Sequence, residues 1–252
     1  SNNLTSNKEK NILMKSIFTL CDYRENDKCP PWSIQSSRML HDNKKKTIYY
    51  DNAIIKIYDI PILYIPRLSH PDPTVDRRSG FLPPSISDTK NLGESISVPY
   101  FFDIAKNKNF TLTSRLYASE NPLFLGEYHL ALKDSFLMAD FGYTEGYKKT
   151  SVTKKKGEKS HFFSKFVKNF KGKNDSENNF QLSVQDVSND KYMKLYKIKS
   201  ALVDYNTDTL ENSIDFSHEN DDLFLGIKAS SYETLKEGYN DKYEYFLPDI
   251  TL

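Results

Sequence analysis

The sequence predicts an all-β protein built in two parts. Tyr and Phe are abundant, at 17 and 16 residues against only 9 Gly. Short runs alternate apolar and polar residues along most of the chain, and convincing helical periodicity is scarce. The rhythm also changes: short ribbons joined by polar turns come first, and segments of about ten residues separated by turn residues follow. The expected boundary divides residues 1–82 from residues 83–252.

Composition narrows the class. With 252 residues, one large β domain or two modest ones can bury a core. A formal charge of +1 gives no reason to expect a polyanion partner, so nucleic acid is not the default. A mean hydropathy of −0.65, with no apolar run of about 18 residues, excludes a transmembrane helix. A transmembrane barrel stays open, because a barrel strand crosses with roughly 9–11 residues and shows lipid only at every second one. The chain starts at Ser1 without an initiator Met or apolar leader and ends at Leu252 in a strand-like run, and it reads as an internal segment.

Residues 1–10 are polar and read as disordered or a frayed edge, followed by a short strand over Met14–Leu20. Cys21 and Cys29 lie in a charged loop without the His or Cys companions of a zinc site. A disulfide in an oxidising compartment or two plain thiols both fit. Trp32–Leu40 reads as a strand and 42–44 as a turn. Thr47–Leu68 reads as one long ribbon with Ala53, Ile55, Ile57, Leu63 and Ile65 evenly spaced on one face, and with Pro61 as a bend or an edge position. Such ribbons suggest strands stacked in rungs, as in a jellyroll or solenoid, with residues 1–68 the end of the array. Left open on one side, the array would offer an apolar trough to an acyl chain; as a closed core, the same five residues would simply fill it.

From Tyr58 to Phe102 the chain joins the two rhythms. A proline-rich, charged stretch closes on Arg77-Arg78-Ser79-Gly80-Phe81-Leu82, and Pro99 interrupts the strand beyond it. Nine candidate strands follow: Ser95–Ile104, Phe110–Ser119, Leu123–Asp134, Ser135–Thr144, Ser160–Phe170, Asn179–Val187, Thr209–His218, Asp222–Tyr232 and Tyr243–Leu252. In the third, Phe124, Gly126, Tyr128, Leu130 and Leu132 alternate with Glu127, His129 and Lys133. The eighth sets Leu223, Leu225, Ile227 and Ala229 against Lys228 and Ser230. An apolar outside and a wet inside fit this pattern, and so does a soluble sandwich.

The lysine-rich stretch Lys148–Lys173 carries Phe162, Phe166 and Phe170 four apart, which suits a basic amphipathic helix, a strand flanked by charged loops, or a solvated loop. The neighbouring segments favour the strand, and Lys beside an aromatic girdle suits phosphate headgroups. Residues 190–206 break the alternation and read as a longer connection with a short helix.

Catalytic and metal chemistry find little support. Histidines 41, 70, 129, 161 and 218 are scattered, with no metal-binding spacing. No Gly-x-Ser-x-Gly elbow positions Ser69 or Ser79 near His70 and Asp72. His129 near Glu127 is the one arrangement resembling a barrel hydrolase, and paired polar residues are commonplace in a lumen. No cofactor is expected.

One stretch carries a family resemblance: CDYRENDKCPPWSIQSSRMLHDNKKKTIYYDNAIIKIYDIPILYIPRLSHPDPTVDRRSGFLPP followed by SVPYFFDIAKNKNFTLTSRL. Trp32 and its strand, His41-Asp42, the Pro61-to-Pro66 strand, Arg78-Ser79-Gly80-Phe81-Leu82, Pro99-Tyr100 and Ile104-Ala105, in that order, resemble the LPS-assembly protein LptD family. The likeness continues more weakly to Tyr245-Phe246-Leu247-Pro248.

The resemblance implies the end of a periplasmic β-jellyroll followed by the N-terminal portion of an antiparallel outer-membrane β-barrel. It implies lipopolysaccharide as cargo, an LptA-type periplasmic bridge protein and an LptE-type plug lipoprotein as partners, and transport rather than catalysis. The runner-up is a barrel lipid hydrolase or a secreted carbohydrate-active β protein. Ala53, Ile55, Ile57, Leu63 and Ile65 would line the lipid groove. Pro99 matches a family proline at a lateral seam between the first and last barrel strands, and Ser114 stands where the family has a second. Arg77 and Arg78 fall where lipid phosphates pass or where the membrane boundary lies. Cys21 matches a family cysteine bridged to the far end of the barrel, whereas Cys29 departs from the pattern and would allow a local disulfide.

Overall fold

The computed structural model describes residues 3–7, 9–19, 32–57, 59–75, 77–150, 154, 156–172, 176–236, 238 and 240–252. Among them the chain is nearly all β, and it divides into two compact units, Ser1–Gly80 and Phe81–Leu252. Cys21 and Cys29 lie outside the described residues.

The first unit is an antiparallel meander of β1 (Asn3–Ser6), β2 (Lys10–Phe18), β3 (Trp32–Asp42), β4 (Thr47–Ile57) and β5 (Ile60–Pro71), in that spatial order. Residues 3–6, expected to fray, pair with β2 instead. The Asn7 side chain makes this possible by accepting the Glu9 and Lys10 amides in the connecting turn.

The ribbon expected over Thr47–Leu68 is a hairpin. The chain reverses at Asp59, which adopts a left-handed φ of 65°. Pro61 then falls on an edge strand, where a missing donor is tolerated. The spacing concealed the reversal because both arms carry their apolar residues at odd numbers: Ala53 faces Ile65, and Ile55 faces Leu63. A bulge after Ile55 shifts the tip, so Ile57 meets Ile60.

A second irregularity crosses the sheet. Lys15 (φ 49°) and Asn52 (φ 54°) have left-handed backbones inside β2 and β4, and neither joins the ladder. Each steps the side-chain alternation by one residue. Ala53 is buried, and beyond Asn52 it is Tyr50, not Asp51, that is buried. Likewise Ser16 is buried and Leu13 packs on the core, while Met14 is exposed. Between these strands the Asn52 amide donates to Ser37 Oγ at 3.1 Å, Ser37 donates to the Asp51 carbonyl at 2.9 Å, and Tyr64 OH donates to Asn52 Oδ1 at 2.7 Å. The core of the unit, Ile34, Met39, Ile48, Tyr50 and Ala53, lies on one face on both sides of this row.

The second unit is an open antiparallel sheet. Its meander runs β8 (Gly93–Ala105), β9 (Lys108–Tyr117), β10 (Leu123–Ala131), β11 (Ser135–Gly146), β12 (Lys156–Lys171), β13 (Glu177–Val187), β14 (Thr209–Glu219), β15 (Phe224–Thr234) and β16 (Tyr243–Thr251). Each strand coincides with an expected segment to within a few residues. Within the lysine-rich stretch, Lys156–Lys171 is the strand β12. At the other margin, β6 (Gly80–Phe81) and β7 (Ser85–Thr89) both lie against β8. The connection after β13 contains the short helix α1 (Tyr192–Tyr196), in keeping with the broken alternation there.

Candidate functional site

The register of the second sheet separates two chemistries. One row, His129–Met138–Lys165–Ser183–Ser213–Ser230, crosses six strands and is mostly polar. The adjacent row, Leu130–Leu137–Phe166–Leu182–Ile214–Ala229, crosses the same strands and is wholly apolar. Adjacent rows point to opposite faces. The apolar face is the exposed one: Phe124, Phe141, Phe162 and Ile214 each show at least 41% of their surface. A soluble sandwich covers such a face with a second sheet, and no described residue covers this one.

Aromatic rings organise that face near β8. Tyr100 lies 4.6 Å from Phe102, which stacks on Phe110 at 5.7 Å, and Phe110 stacks on Phe141 at 5.9 Å. Phe110 and Phe141 belong to strands separated by β10. Gly126 lets them meet, because a Cβ there would sit 2.3 Å from the Phe141 ring.

Pro99 lies in β8 opposite Thr113, and Ser114 pairs with the preceding Val98. The Leu82 amide donates to the Pro99 carbonyl at 3.0 Å, from the β6 side. In a strand the N–H and C=O of one residue point the same way. The donor that proline lacks is therefore missing from the outer margin of β8, and the β8–β9 ladder loses nothing.

The polar face holds a cavity of about 250 Å³ lined by Lys165, Gln181, Gln185, Glu211, Ser213 and Lys228, among others. Lys228 pairs with Glu211 at 3.0 Å. Beside it the backbone ladder of β13 and β14 stops at Ser183 opposite Ser213, and side-chain amides continue it. Asn212 Oδ1 accepts the Gln185 amide at 2.7 Å, and Gln185 Oε1 accepts the Glu211 amide at 2.9 Å.

At one end the same face turns apolar. Leu123, Phe163 and Val187, in phase with the polar row, are buried there in one cluster with Leu210, Tyr192, Met193, Tyr196 and Ile198. Burial pushes the Tyr192 phenol far above its ordinary pKa and that of Tyr196 up to about 12. The sequence reading missed this cover. Its signal was three large apolar residues, Leu123, Phe163 and Val187, in phase with polar ones.

In the first unit, Ala53 is fully buried, Ile55 and Ile65 are half-buried, and Ile57 and Leu63 are exposed at the hairpin tip. Ile60, Ile62 and Tyr64 extend that exposed apolar tip. At the opposite end, His70 Nδ1–H donates to the Pro71 carbonyl at 2.6 Å, so its Nε2 accepts from Tyr50 OH at 2.8 Å. Asp72 pairs with His41 rather than His70. Hydrogen bonds from Thr74, aided by His41, hold the Asp72 carboxyl below its ordinary pKa.

Of the sites imagined for catalysis, the one around His70 does not assemble, because both of its nitrogens are engaged away from Ser69, whereas His129 does meet Glu127, at 2.8 Å. Arg77 and Arg78 are exposed. Arg78 donates to the Lys45 carbonyl at 3.0 Å and to Thr47 Oγ1, clamping the β3–β4 turn.

No family model matches the chain. Individual proteins do. LPS-assembly protein LptD of Nitrosococcus oceani is 33% identical over 120 residues, 47% of this chain and 15% of its own length. The LptD of Francisella tularensis subsp. novicida is 36% identical over 104 residues, 40% of this chain and 12% of its own length. That of Legionella pneumophila strain Paris is 32% identical over 117 residues, 46% of this chain and 13% of its own length. The matches thus span well under a fifth of each relative, and this chain is similar to LPS-assembly proteins LptD of several bacteria in the way a segment of such a protein would be.

Proposed function

We propose that the chain is the part of an outer-membrane lipopolysaccharide translocon where a periplasmic jellyroll hands its cargo to a transmembrane barrel. Residues 1–82 end the jellyroll, and residues 83–252 are the first barrel strands. The carrying observation is the inverted second sheet, whose apolar face is exposed across its strands while its other face is polar. Water would oppose that arrangement and lipid favours it.

In this reading Ala53, Ile55, Ile57, Leu63 and Ile65 carry acyl chains, and the polar face accommodates the sugars. The outer margin of β8, one donor short at Pro99, is one side of the exit seam, with Ser114 in the neighbouring strand. The cargo arrives from an LptA-type bridge, and an LptE-type lipoprotein fills the barrel. Arg77 and Arg78 mark the membrane boundary or meet passing lipid phosphate, the Arg78 guanidinium being held at the β3–β4 turn. The protein is a transporter, not an enzyme, and needs no cofactor.

The test is site-specific photo-crosslinking in growing cells that carry the full-length protein. A crosslinking residue at Leu63 or Ile65 should give a lipopolysaccharide adduct, and one at Ser37, on the polar crossing row, should not. Absence of adduct at both apolar positions sinks the reading.

A further inference from the structure

Residues 188–208 form the longest connection of the second sheet and fold back over its polar face. The helix within it, Tyr192–Tyr196, is a little over one turn. So short a helix has no stability of its own. Its position must come from the sheet.

Two kinds of contact supply it. The apolar kind packs Tyr192, Met193, Tyr196 and Ile198 onto Leu123, Phe163 and Leu210. The polar kind lies within the same core. His161 Nε2–H donates to Asp140 Oδ1 at 3.1 Å, and Tyr192 O–H donates to His161 Nδ1 at 3.1 Å. Arg115, whose Nε reaches Ser97, donates from Nη1 to the Tyr196 carbonyl at 2.6 Å. The His161 side chain is 0% exposed and that of Asp140 6%.

Burying such a set has a desolvation cost, and apolar residues of the same volume would hold the segment at least as firmly. The polar set adds direction, because each bond is satisfied at one place only. Gly142 is fitted to it: a Cβ there would lie 2.5 Å from the His161 ring. The outer ties, Lys194 to Asp208 and Lys242 to Asp190, are largely exposed pairs of small worth.

We propose that Asp140, His161 and Tyr192 are positioning residues that latch residues 188–208 as a fixed constriction across one end of the polar face. The inference rests on the reading of that face as a passage. The segment then sets the bore of the passage, and the latch sets where the segment sits.

The experiment compares the full-length protein, reconstituted in lipid bilayers, with Tyr192→Phe and His161→Gln. Tyr192→Phe keeps the ring and removes only the donor, so it carries the test alone if His161→Gln does not fold. Hydrogen exchange followed by mass spectrometry reads the amides of Leu195 and Ile198, which donate to the Lys191 and Met193 carbonyls. These should exchange about tenfold faster in the variants while β11 and β12 keep their protection. Ion conductance through the reconstituted protein should rise in step.

Unchanged exchange over residues 190–206 overturns the latch, as does equal acceleration in the segment and the sheet, which marks a merely structural role. Faster exchange without a conductance change overturns the constriction. Failure of the barrel reading is distinguishable, since the wild-type protein would then not insert into bilayers at all.

Discussion

The two sheets of this chain solve the same problem in opposite ways. In the first unit Ile34, Met39, Ile48, Tyr50 and Ala53 gather on one face, and Tyr50 and Ala53 are fully buried among their neighbours. In the second, whole rows of apolar residues face outward uncovered, while the polar face is partly roofed by the chain's own residues 188–208. The first sheet makes its own apolar environment. The second requires one from outside, apart from the end that the folded-back segment covers.

That contrast can be tested by substitutions in descending order of effect. Phe163→Ala removes the fully buried ring beneath the folded-back segment and should cost about 3–5 kcal/mol. Urea unfolding in lipid vesicles measures it, and a cost under about 1 kcal/mol would mean the cover contributes little.

Ile214→Arg comes next. Ile214 is 47% exposed, and in water such a change is nearly neutral; facing lipid it should cost about 2–4 kcal/mol. The same unfolding assay with Ser217→Arg, on the polar face, supplies the control. Equal, small effects at both positions would erase the distinction between the faces.

Pro99→Ala restores a donor on the outer margin of β8 and should strengthen pairing there by about 1 kcal/mol. Delivery of lipopolysaccharide to the cell surface, followed by pulse labelling, should slow several-fold. Unchanged delivery would separate Pro99 from the exit.

The smallest effect concerns pH and belongs to the first unit. The Asp72 carboxyl is held below its unfolded pKa, so its contribution is full above the ordinary carboxylate range and fades as pH falls through the lowered value. Asp72→Asn should flatten the acid limb of the unit's stability curve. Thermal unfolding between neutral pH and about pH 3 reads this, and parallel curves would remove Asp72 from the account.

The strands of the second sheet were legible because period-two alternation is the same whichever face is apolar, here with the apolar phase turned outward. Phe162, Phe166 and Phe170 were ambiguous between helix and strand by spacing alone, and the flanking strands decided the matter. The hairpin in Thr47–Leu68 was hidden because its turn, at Asp59, falls between apolar runs of matching parity. The cover over Phe163 was illegible for a different reason. Tyr192 and Met193 share a cluster with Leu123 and Phe163, which come from strands well before them in the chain, a relation that no local pattern encodes. Of the residues proposed for the groove, Ala53, Ile55, Leu63 and Ile65 do share a face, through cross-strand pairing rather than along one ribbon.

The left-handed residues Lys15 and Asn52 carry one further consequence. Both step the alternation by one, at the same level of the sheet, and Ser37 and Asn52 are tied across it. Sliding β4 past β3 by one residue would therefore misalign this step as well as expose the core. The row works as a key in a slot: two independent mismatches oppose any slip. The strand stack gains its alignment from the backbone itself.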